Sequence, residues 1–463
     1  MQINVQLKGK VIMMFLKKEE VFKQICSASL QGTLGLFAGS GFTKALLEDS
    51  HEYSAYNWGE LLEECCEEMN VETDILKNKG SYPEIASKIC KQHSINEGQD
   101  ISESISLLKT TIAKAVTAYP REETQDQYAE YFEKLSFNWI VTTNYDTMIE
   151  ALLPGKAFPL SPKDSFIKIQ NLTPVYHIHG IKTNPESIII TNEDYVSLFR
   201  PNDYRQSRLP FLIKESLILM VGYAFGDMNV IAAVDWSKNV YTNLIEDYDF
   251  PIIQLLYTES PKDKPYYDSS GIIVYEISSI KNFFDDLSIF MDKYREAYNK
   301  KINLVYDKIA YFTLETNENV SEFIQNQNIR IDTISFIENL SREFQYIYPN
   351  YISFLRRVIS ELKNAAAPYG AFEAYNQRLI VLLDILENMS LRHMPTAFFQ
   401  LIADSLNSLA CYIGDTQGKS YSAHNTWNER KSSIPEDTIA ELKNYDDAKA
   451  WGISDLNRLL QGL

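Results

Sequence analysis

The sequence contains little cysteine, with five residues in 463 and no CxxC pair among them. The five are Cys26, Cys65, Cys66, Cys90 and Cys411. An odd number of isolated cysteines argues against a disulfide framework and is typical of reduced thiols in a cytoplasmic protein. Because metal-binding cysteine pairs are missing, we also predict that no structural zinc is bound.

Long apolar runs are equally scarce near the amino terminus. The longest one, residues 11–16, is flanked by lysines on both sides. It is too short to cross a bilayer, and no convincing cleavage site follows it. We therefore expect neither a signal sequence nor a membrane anchor.

Positive charge is also in deficit. Lys and Arg number 44 against 62 Asp and Glu, which leaves a formal net charge of −18. An acidic surface repels the phosphate backbone, so direct nucleic-acid binding is not expected. Apolar residues make up 45% of the chain and charged residues 23%, as in ordinary globular proteins. The length allows two or three domains.

Several apolar runs end abruptly in small or polar residues, which predicts a parallel α/β sheet covered on both faces. The predicted strands lie at 34–38, 137–143, 174–179, 187–191, 216–222, 251–257 and 271–277. A helix over 17–30 precedes the first strand, and a helical insertion occupies about 50–134. We therefore predict a Rossmann-like, doubly wound α/β domain over residues 1–295.

The remaining residues, 296–463, show helical periodicity without strand patterns. Predicted helices cover 303–317, 328–346, 350–366, 371–388, 395–412 and 434–460, with a polar loop at 414–434. No catalytic cluster is visible in this part of the sequence. We predict an all-helical carboxy-terminal domain that serves oligomerisation or sensing.

The first predicted strand runs into a glycine turn made of Gly39, Ser40, Gly41, Phe42 and Thr43. Glycines let a backbone approach a pyrophosphate, and a helix terminus behind them favours an anion. The dinucleotide fingerprint G-x-G-x-x-G is incomplete, because Lys44 occupies the position of the third glycine. A tight turn without a ligand explains the two glycines equally well.

An amide and a carboxylate follow the strand at 137–143. Residues two apart in an extended chain point the same way, so Asn144 and Asp146 are candidates for one pocket, with Tyr145 turned away. The alternative is that Asn144 caps a turn and Asp146 begins the next helix as its N-cap.

Two of the six histidines, His177 and His179, share the end of one strand. His179 lies nearer the opening and precedes Gly180, and an imidazole suits proton transfer near neutral pH. His179 is therefore the catalytic candidate, and we interpret His177 as a satisfied core histidine.

A further strand end carries the pattern Gly-Tyr-x-Phe-x-Asp, with Gly222, Tyr223, Phe225 and Asp227 as candidates for ligand contact. Gly222 permits close approach of a ligand. Asp227 either caps the following helix or accepts a hydrogen bond from a ribose hydroxyl. Tyr195 is an additional candidate for the pocket.

Taken in order, these motifs resemble the sirtuin-like family. Residues 39–43 correspond to the Gly-Ala-Gly-Ile-Ser loop of sirtuins, residues 142–146 to Thr-Gln-Asn-Ile-Asp, and His179 with Gly180 to the catalytic His-Gly. The Thr-Thr-Asn-Tyr-Asp and Gly-Tyr-x-Phe-x-Asp forms are similar to the bacterial sirtuin-like NAD hydrolases of anti-phage defence. The resemblance covers about residues 30–295. The zinc module of sirtuin deacetylases is missing, since no cysteine lies between Cys90 and Cys411.

The resemblance implies that NAD+ is the substrate and that nicotinamide and ADP-ribose are the products. It implies Asn144 and His179 as catalytic residues and Asp146 at the nicotinamide end. It also implies that Thr143, which replaces the family glutamine, borders the ribose. Residues 39–43 would hold the pyrophosphate, and residues 222–227 would border the adenosine half. No zinc and no further cofactor are implied.

The resemblance further implies an abortive-infection effector that depletes cellular NAD+. We expect a homo-oligomer in the cytoplasm, activated by a companion defence protein or a nucleotide signal. Two alternatives stay open, namely a catalytically silent nucleotide-binding sensor and an ADP-ribosyltransferase or deacylase.

Overall fold

The computed structural model describes residues 14–49, 55–77, 80–162, 164, 169–198, 204–223, 251–313, 317–366, 372–390, 394–449 and 455–461. The chain divides into two compact units, Met1–Ala297 and Tyr298–Leu463. The sequence predicts this boundary between residues 295 and 296.

An eight-stranded sheet forms the centre of the first unit. Its strands are β1 (Leu34–Ala38), β2 (Trp139–Thr142), β3 (Ala157–Leu160), β4 (Thr173–His177), β5 (Leu217–Val221), β6 (Ile252–Tyr257), β7 (Tyr266–Tyr267) and β8 (Ile273–Ile277). Their spatial order is β3-β4-β2-β1-β5-β6-β8-β7, and only the β7–β8 pair is antiparallel. The predicted Rossmann-like parallel sheet is confirmed.

The central strands are buried on both faces, which explains their continuous apolar runs. In β1, Leu34, Leu36 and Ala38 pack into one apolar cluster, whereas Phe37 packs into another. The same alternation holds in β5, where Leu219 belongs to the first cluster and Met220 to the second. Successive side chains of a strand point to opposite faces, so a strand between two layers of helices must be apolar throughout.

Nine described helices lie entirely within the first unit. They are α1 (Lys18–Leu30), α2 (Ser40–Leu46), α3 (Trp58–Glu68), α4 (Tyr82–Glu97), α5 (Ile101–Ala115), α6 (Glu122–Leu135), α7 (Met148–Leu152), α8 (Asn192–Leu198) and α9 (Tyr204–Lys214). Helices α3 to α6 lie between β1 and β2 in the sequence, where the helical insertion was predicted. Asn57 caps α3 by accepting a hydrogen bond from the Glu60 amide at 3.0 Å.

Apart from an isolated bridge between Ile413 and Ser420, the described secondary structure of the second unit is helical. Its helices are α10 (Ile280–Thr313), which begins in the first unit, α11 (Asn317–Gln325), α12 (Gln327–Glu338), α13 (Tyr348–Ala365), α14 (Phe372–Asn388), α15 (Thr396–Ala410), α16 (Tyr421–Arg430), α17 (Glu436–Lys449) and α18 (Asp455–Leu460). Four short 3-10 turns are described across the chain, at Thr73–Lys77, Pro185–Ser187, Arg342–Ile347 and Lys431–Ser433. The core of this unit also buries an ion pair, in which Arg330 Nε donates to Asp384 Oδ2 at 2.8 Å.

The single helix predicted over 328–346 ends at Glu338 in the structure and is followed by the 3-10 turn Arg342–Ile347. Two further predicted segments also differ from the structure. Residues 187–191 were predicted as a strand, but a 3-10 turn (Pro185–Ser187) leads there into an irregular segment. Its apolar side chains, including Ile188 and Ile190, pack against the helical insertion instead of a neighbouring strand. The loop predicted at 414–434 contains helix α16, whose buried side chains are only Ala423 and Trp427. Two apolar positions are too few to produce a visible period.

The cysteines form no disulfide, and four of the five are buried. Burial raises the pKa of Cys26, Cys65 and Cys90 to about 12. These thiols are therefore protonated at neutral pH and act as apolar core residues.

Within the described ranges, no helix combines the length and apolarity needed to cross a bilayer.

Candidate functional site

The predicted site residues follow strands that meet at one edge of the sheet. Ala38 of β1 is in register with Thr142 of β2 and with Val221 of β5, and Thr142 is in register with His177 of β4. The four loops that follow these residues therefore leave the sheet side by side. Strands β2, β4 and β3 lie on one side of β1, and β5 lies on its other side. The strand order therefore reverses at β1, which makes this edge a topological switch point.

The loops after β1 and β5 are in direct contact. Gly39 donates its amide to Val221 O at 3.0 Å, and Gly41 donates to Gly222 O at 2.9 Å. A Cβ atom on Gly39 would lie 2.5 Å from Gly222 O, and one on Gly41 would lie 2.8 Å from Gly222 Cα. The two glycines are thus required by loop packing, whether or not a pyrophosphate approaches them.

The remaining residues of the glycine turn have different environments. The ring of Phe42 is 1% exposed and stacks on Phe132 with centroids 5.8 Å apart. The structure therefore places the side chain of Phe42 in the core and not on the predicted ligand surface. Ser40 is exposed at the start of α2.

Thr43 joins the loop after β1 to the loop after β2. Its hydroxyl donates to Asp146 Oδ2 at 2.8 Å and accepts a hydrogen bond from Asn144 Nδ2 at 2.9 Å. We call these three residues the Thr43 cluster. One hydroxyl can donate only one hydrogen bond, so these two contacts fix which atom of Asn144 faces Thr43. The amide oxygen of Asn144 is left to accept from another group.

The loop after β2 has the alternation that the sequence predicted. Asn144 and Asp146 both reach Thr43, whereas Tyr145 turns away and donates its hydroxyl to Ile189 O at 3.0 Å. Asp146 also accepts the amide of Met148, the first residue of α7, at 3.1 Å. The N-cap of α7 is Thr147, so the predicted N-cap role of Asp146 is wrong, although its carboxylate accepts the first amide of that helix. A place for Asp146 in a ligand pocket stays a prediction. Thr143 is partly exposed beside them.

The pKa of Asp146 is raised above its usual value because burial disfavours the carboxylate. The amide of Met148 and the hydroxyl of Thr43 act in the opposite direction, since both donate to the ionised form. A carboxylate held in this way is common at ligand sites and also at buried structural networks.

The two histidines of β4 and its following loop have separate roles. His177 is 1% exposed, as expected of a core histidine, and its Nδ1 lies 3.1 Å from the backbone oxygen of Asn144. His179 lies two residues beyond His177, just as Asn144 lies two residues beyond its register partner Thr142. Its imidazole is 3% exposed and makes an edge contact with Tyr195, with ring centroids 5.5 Å apart.

Helix α8 carries Tyr195 to this position and is anchored on the helical insertion. Lys109 of α5 and Asp194 of α8 form an ion pair at 2.7 Å, and Ser87 of α4 donates to Glu193 at 2.8 Å. The ion pair is largely buried, so removing one partner would leave an uncompensated charge in the interior. The helical insertion thereby positions the side chain that covers His179.

The predicted residues after β5 are only partly described. Tyr223 packs against Phe37 with ring centroids 4.9 Å apart, and its backbone oxygen accepts a hydrogen bond from Gln254 at 3.3 Å. Phe225 and Asp227 lie outside the described residues.

One residue of the site region was missed by the sequence analysis. Glu150 lies on α7 and its Oε1 is 2.8 Å from His177 Nε2. No motif marks Glu150, because its approach to His177 depends on how α7 packs against β4. In the described part of the chain, no group of three or more His, Cys, Asp or Glu side chains is arranged to hold a metal ion.

We expect Thr43→Val to destabilise the first unit by about 1–3 kcal/mol, because the carboxylate of Asp146 and the amide of Asn144 both lose a partner. Valine has nearly the same shape as threonine, so packing is preserved. The free energy of unfolding from urea titration checks this. Thr43→Ser keeps the hydroxyl, so its free energy of unfolding should fall less. An equal decrease in both variants would show that the hydrogen bonds of Thr43 do not contribute to stability.

Fold and site together define a Rossmann-like α/β domain whose polar residues gather after β1, β2 and β4. Residues 138–269 of the chain match the SIR2-like domain family. Among known proteins, the chain is similar to Defense-associated sirtuin 2 of Bacillus subtilis, at 19% identity over 222 residues. The similarity covers 45% of this chain and 21% of that protein, about a fifth of its length. The chain thus carries a SIR2-like domain, and the resemblance to sirtuin-like defence proteins is confirmed. The glycine turn lies before the residues matched by the family.

Proposed function

We propose that the chain is an NAD+ glycohydrolase that acts in anti-phage defence by depleting cellular NAD+. The observation that carries the proposal is the Thr43 cluster, which presents an oriented amide and a carboxylate at the switch point of a SIR2-like domain. The similarity to a protein described as a defence-associated sirtuin supports the biological setting.

The proposed reaction breaks the bond between the nicotinamide nitrogen and C1′ of the ribose. The electron pair of this bond moves to the pyridinium nitrogen, so nicotinamide leaves as a neutral molecule and needs no general acid. A water molecule adds to C1′ and gives up one proton, which yields ADP-ribose. The protein has to stabilise an oxocarbenium-like sugar, position the water and accept its proton.

The residues at the sheet edge suit these tasks. The amide nitrogen of Asn144 is engaged by Thr43, so its oxygen would accept a hydrogen bond from the water or a ribose hydroxyl. His179 would act as the general base, on that water or on a ribose hydroxyl. Asp146 would hold the nicotinamide end, and Thr143 would border the ribose.

The phosphates and the adenosine half would extend over the loops after β1 and β5. Ser40, exposed at the turn, is the side chain of residues 39–43 best placed to face solvent and a pyrophosphate. Residues 222–227 would border the adenosine. No metal ion or further cofactor is needed in this scheme.

The test is nicotinamide and ADP-ribose release from NAD+ by the purified chain, alone and with the products of neighbouring genes. In cells, NAD+ should fall after phage infection. We expect Asn144→Ala to abolish both effects, because the water and the sugar lose their orienting amide. Asn96→Ala removes an exposed amide from α4 and is the matched control, which should behave like wild type. Loss of NAD+ that persists in Asn144→Ala would contradict the proposal.

A silent nucleotide-binding sensor is the second candidate, and the burial of His179 favours it. His179 is 3% exposed and in edge contact with Tyr195, which leaves it little access to substrate in this conformation. Calorimetric binding of NAD+ without any turnover, in the presence of every candidate activator, would support the sensor. An effector that awaits an activating partner or a nucleotide signal predicts turnover once that activator is added.

A further inference from the structure

A buried pair, His177 and Glu150, contacts the loop that carries the proposed catalytic amide. The imidazole is fully enclosed, with Nε2 2.8 Å from Glu150 Oε1 and Nδ1 3.1 Å from the backbone oxygen of Asn144. Neither His177 nor Glu150 has a part in the proposed reaction. His177 nonetheless contacts the backbone of Asn144 directly, and Glu150 contacts His177.

The two hydrogen bonds of His177 require one proton more than a neutral imidazole and an ionised Glu150 hold between them. A carboxylate oxygen and a backbone carbonyl oxygen are both acceptors, so each needs a donor. A neutral imidazole has one N–H group and can serve only one of them. Either His177 is an imidazolium, or Glu150 is protonated and donates to Nε2. In both cases the pair holds one proton more than a neutral imidazole and a carboxylate together. In both cases the Nδ1–H group of His177 donates to the backbone oxygen of Asn144.

We propose that His177 is a positioning residue for Asn144 and that Glu150 keeps the proton on Nδ1 of His177. This inference rests on the proposed NAD+ glycohydrolase function for its kinetic consequences. It adds residues that the motifs of the sequence did not mark.

The contact completes a set of restraints around Asn144. Its backbone amide donates to Thr142 Oγ1 at 3.0 Å, and its side-chain amide donates to Thr43 Oγ1 at 2.9 Å. The bond from His177 to the backbone oxygen sets the plane of the following peptide. With amide, side chain and carbonyl all held, the side-chain oxygen of Asn144 points in one direction before a substrate arrives.

Two substitutions of His177 separate positioning from mere packing. The amide nitrogen of asparagine occupies nearly the place of imidazole Nδ1, and that of glutamine the place of Nε2. His177→Asn therefore keeps a donor to Asn144, whereas His177→Gln keeps only the contact to Glu150. Both remove a similar amount of buried ring, so their effects on folding should be alike.

The experiment compares NAD+ turnover by these two full-length variants after thermal denaturation has shown that both are folded. We expect His177→Gln to lower kcat by about 10- to 100-fold with little change in KM, because the amide of Asn144 is misdirected. His177→Asn should retain most of kcat. Glu150→Gln should also retain it, since the new amide can donate to Nε2 while Nδ1–H still faces Asn144. Equal kcat values for the two His177 variants would overturn the proposal.

A spectroscopic readout separates this proposal from the proposed function. In the chain labelled with 15N-histidine, the His177 signals are those lost in His177→Gln. We expect Nδ1 to carry a proton in the wild type. A proton-free Nδ1 would overturn the positioning role even if NAD+ is hydrolysed. If no condition gives turnover, the glycohydrolase function fails, and the state of Nδ1 alone decides whether the contact to Asn144 exists.

Discussion

Replacing His179 by alanine is expected to lower nicotinamide release from NAD+ by at least about 100-fold, the lower range for loss of a general base. The water that attacks C1′ must lose a proton, and His179 is the titratable side chain predicted to accept it. The measurement is nicotinamide release at saturating NAD+ by the activated chain. KM should change less than kcat, because the base acts mainly in the transition state.

Two controls accompany this substitution. His424→Ala removes a partly exposed histidine from α16 in the second unit and should leave turnover unchanged. Because His179 is buried beside Tyr195, the alanine variant must also be shown to be folded, by its thermal transition. Wild-type turnover in a folded His179→Ala chain would show that another group accepts the proton.

Gly222→Ala is expected to reduce the free energy of unfolding by about 3 kcal/mol or more, from left-handed backbone strain and overpacking together. Gly222 has φ +63°, and a Cβ atom there would lie 2.0 Å from Phe42 N and 2.4 Å from Gly41 C. Both neighbours are backbone atoms, so relief requires separating the loops after β1 and β5. Urea titration of the full chain measures the loss.

Gly98 is a matched control for Gly222. It has φ +67° at the end of α4, and a Cβ atom there meets no heavy atom within 4 Å. Gly98→Ala therefore tests the left-handed backbone alone, and we expect it to cost about 1–2 kcal/mol. The difference between the two variants measures the contact between the loops. Equal losses would show that this contact contributes nothing to stability.

Most of the sheet could be predicted from local pattern. The largely apolar runs at 137–143, 216–222 and 251–257 correspond to β2, β5 and β6, because strands covered by helices on both faces bury mostly apolar side chains. The short strands β3 and β7 were not predicted. Each has few residues, and Pro159 within β3 weakens any strand signal.

The candidate site was predicted in part. Alternation along an extended chain correctly placed Asn144 and Asp146 on one side with Tyr145 on the other. That residues 39–43 hold a pyrophosphate stays a prediction, and in the structure the hydroxyl of Thr43 links Asn144 and Asp146. The roles of His179, Asn144 and the other residues in NAD+ cleavage stay predictions that the substitutions above examine.

Covalent order and side-chain periodicity were enough to specify a parallel sheet, an inserted group of helices and the strand ends that carry polar residues. These properties depend on residues that are close together in the sequence, so they can be predicted from the sequence alone. The packing of Gly222 against Gly41, the bridging hydroxyl of Thr43 and the approach of Glu150 to His177 arise between segments far apart in sequence. Such contacts exist only once the strands have taken their order in the sheet, because that order decides which loops become neighbours.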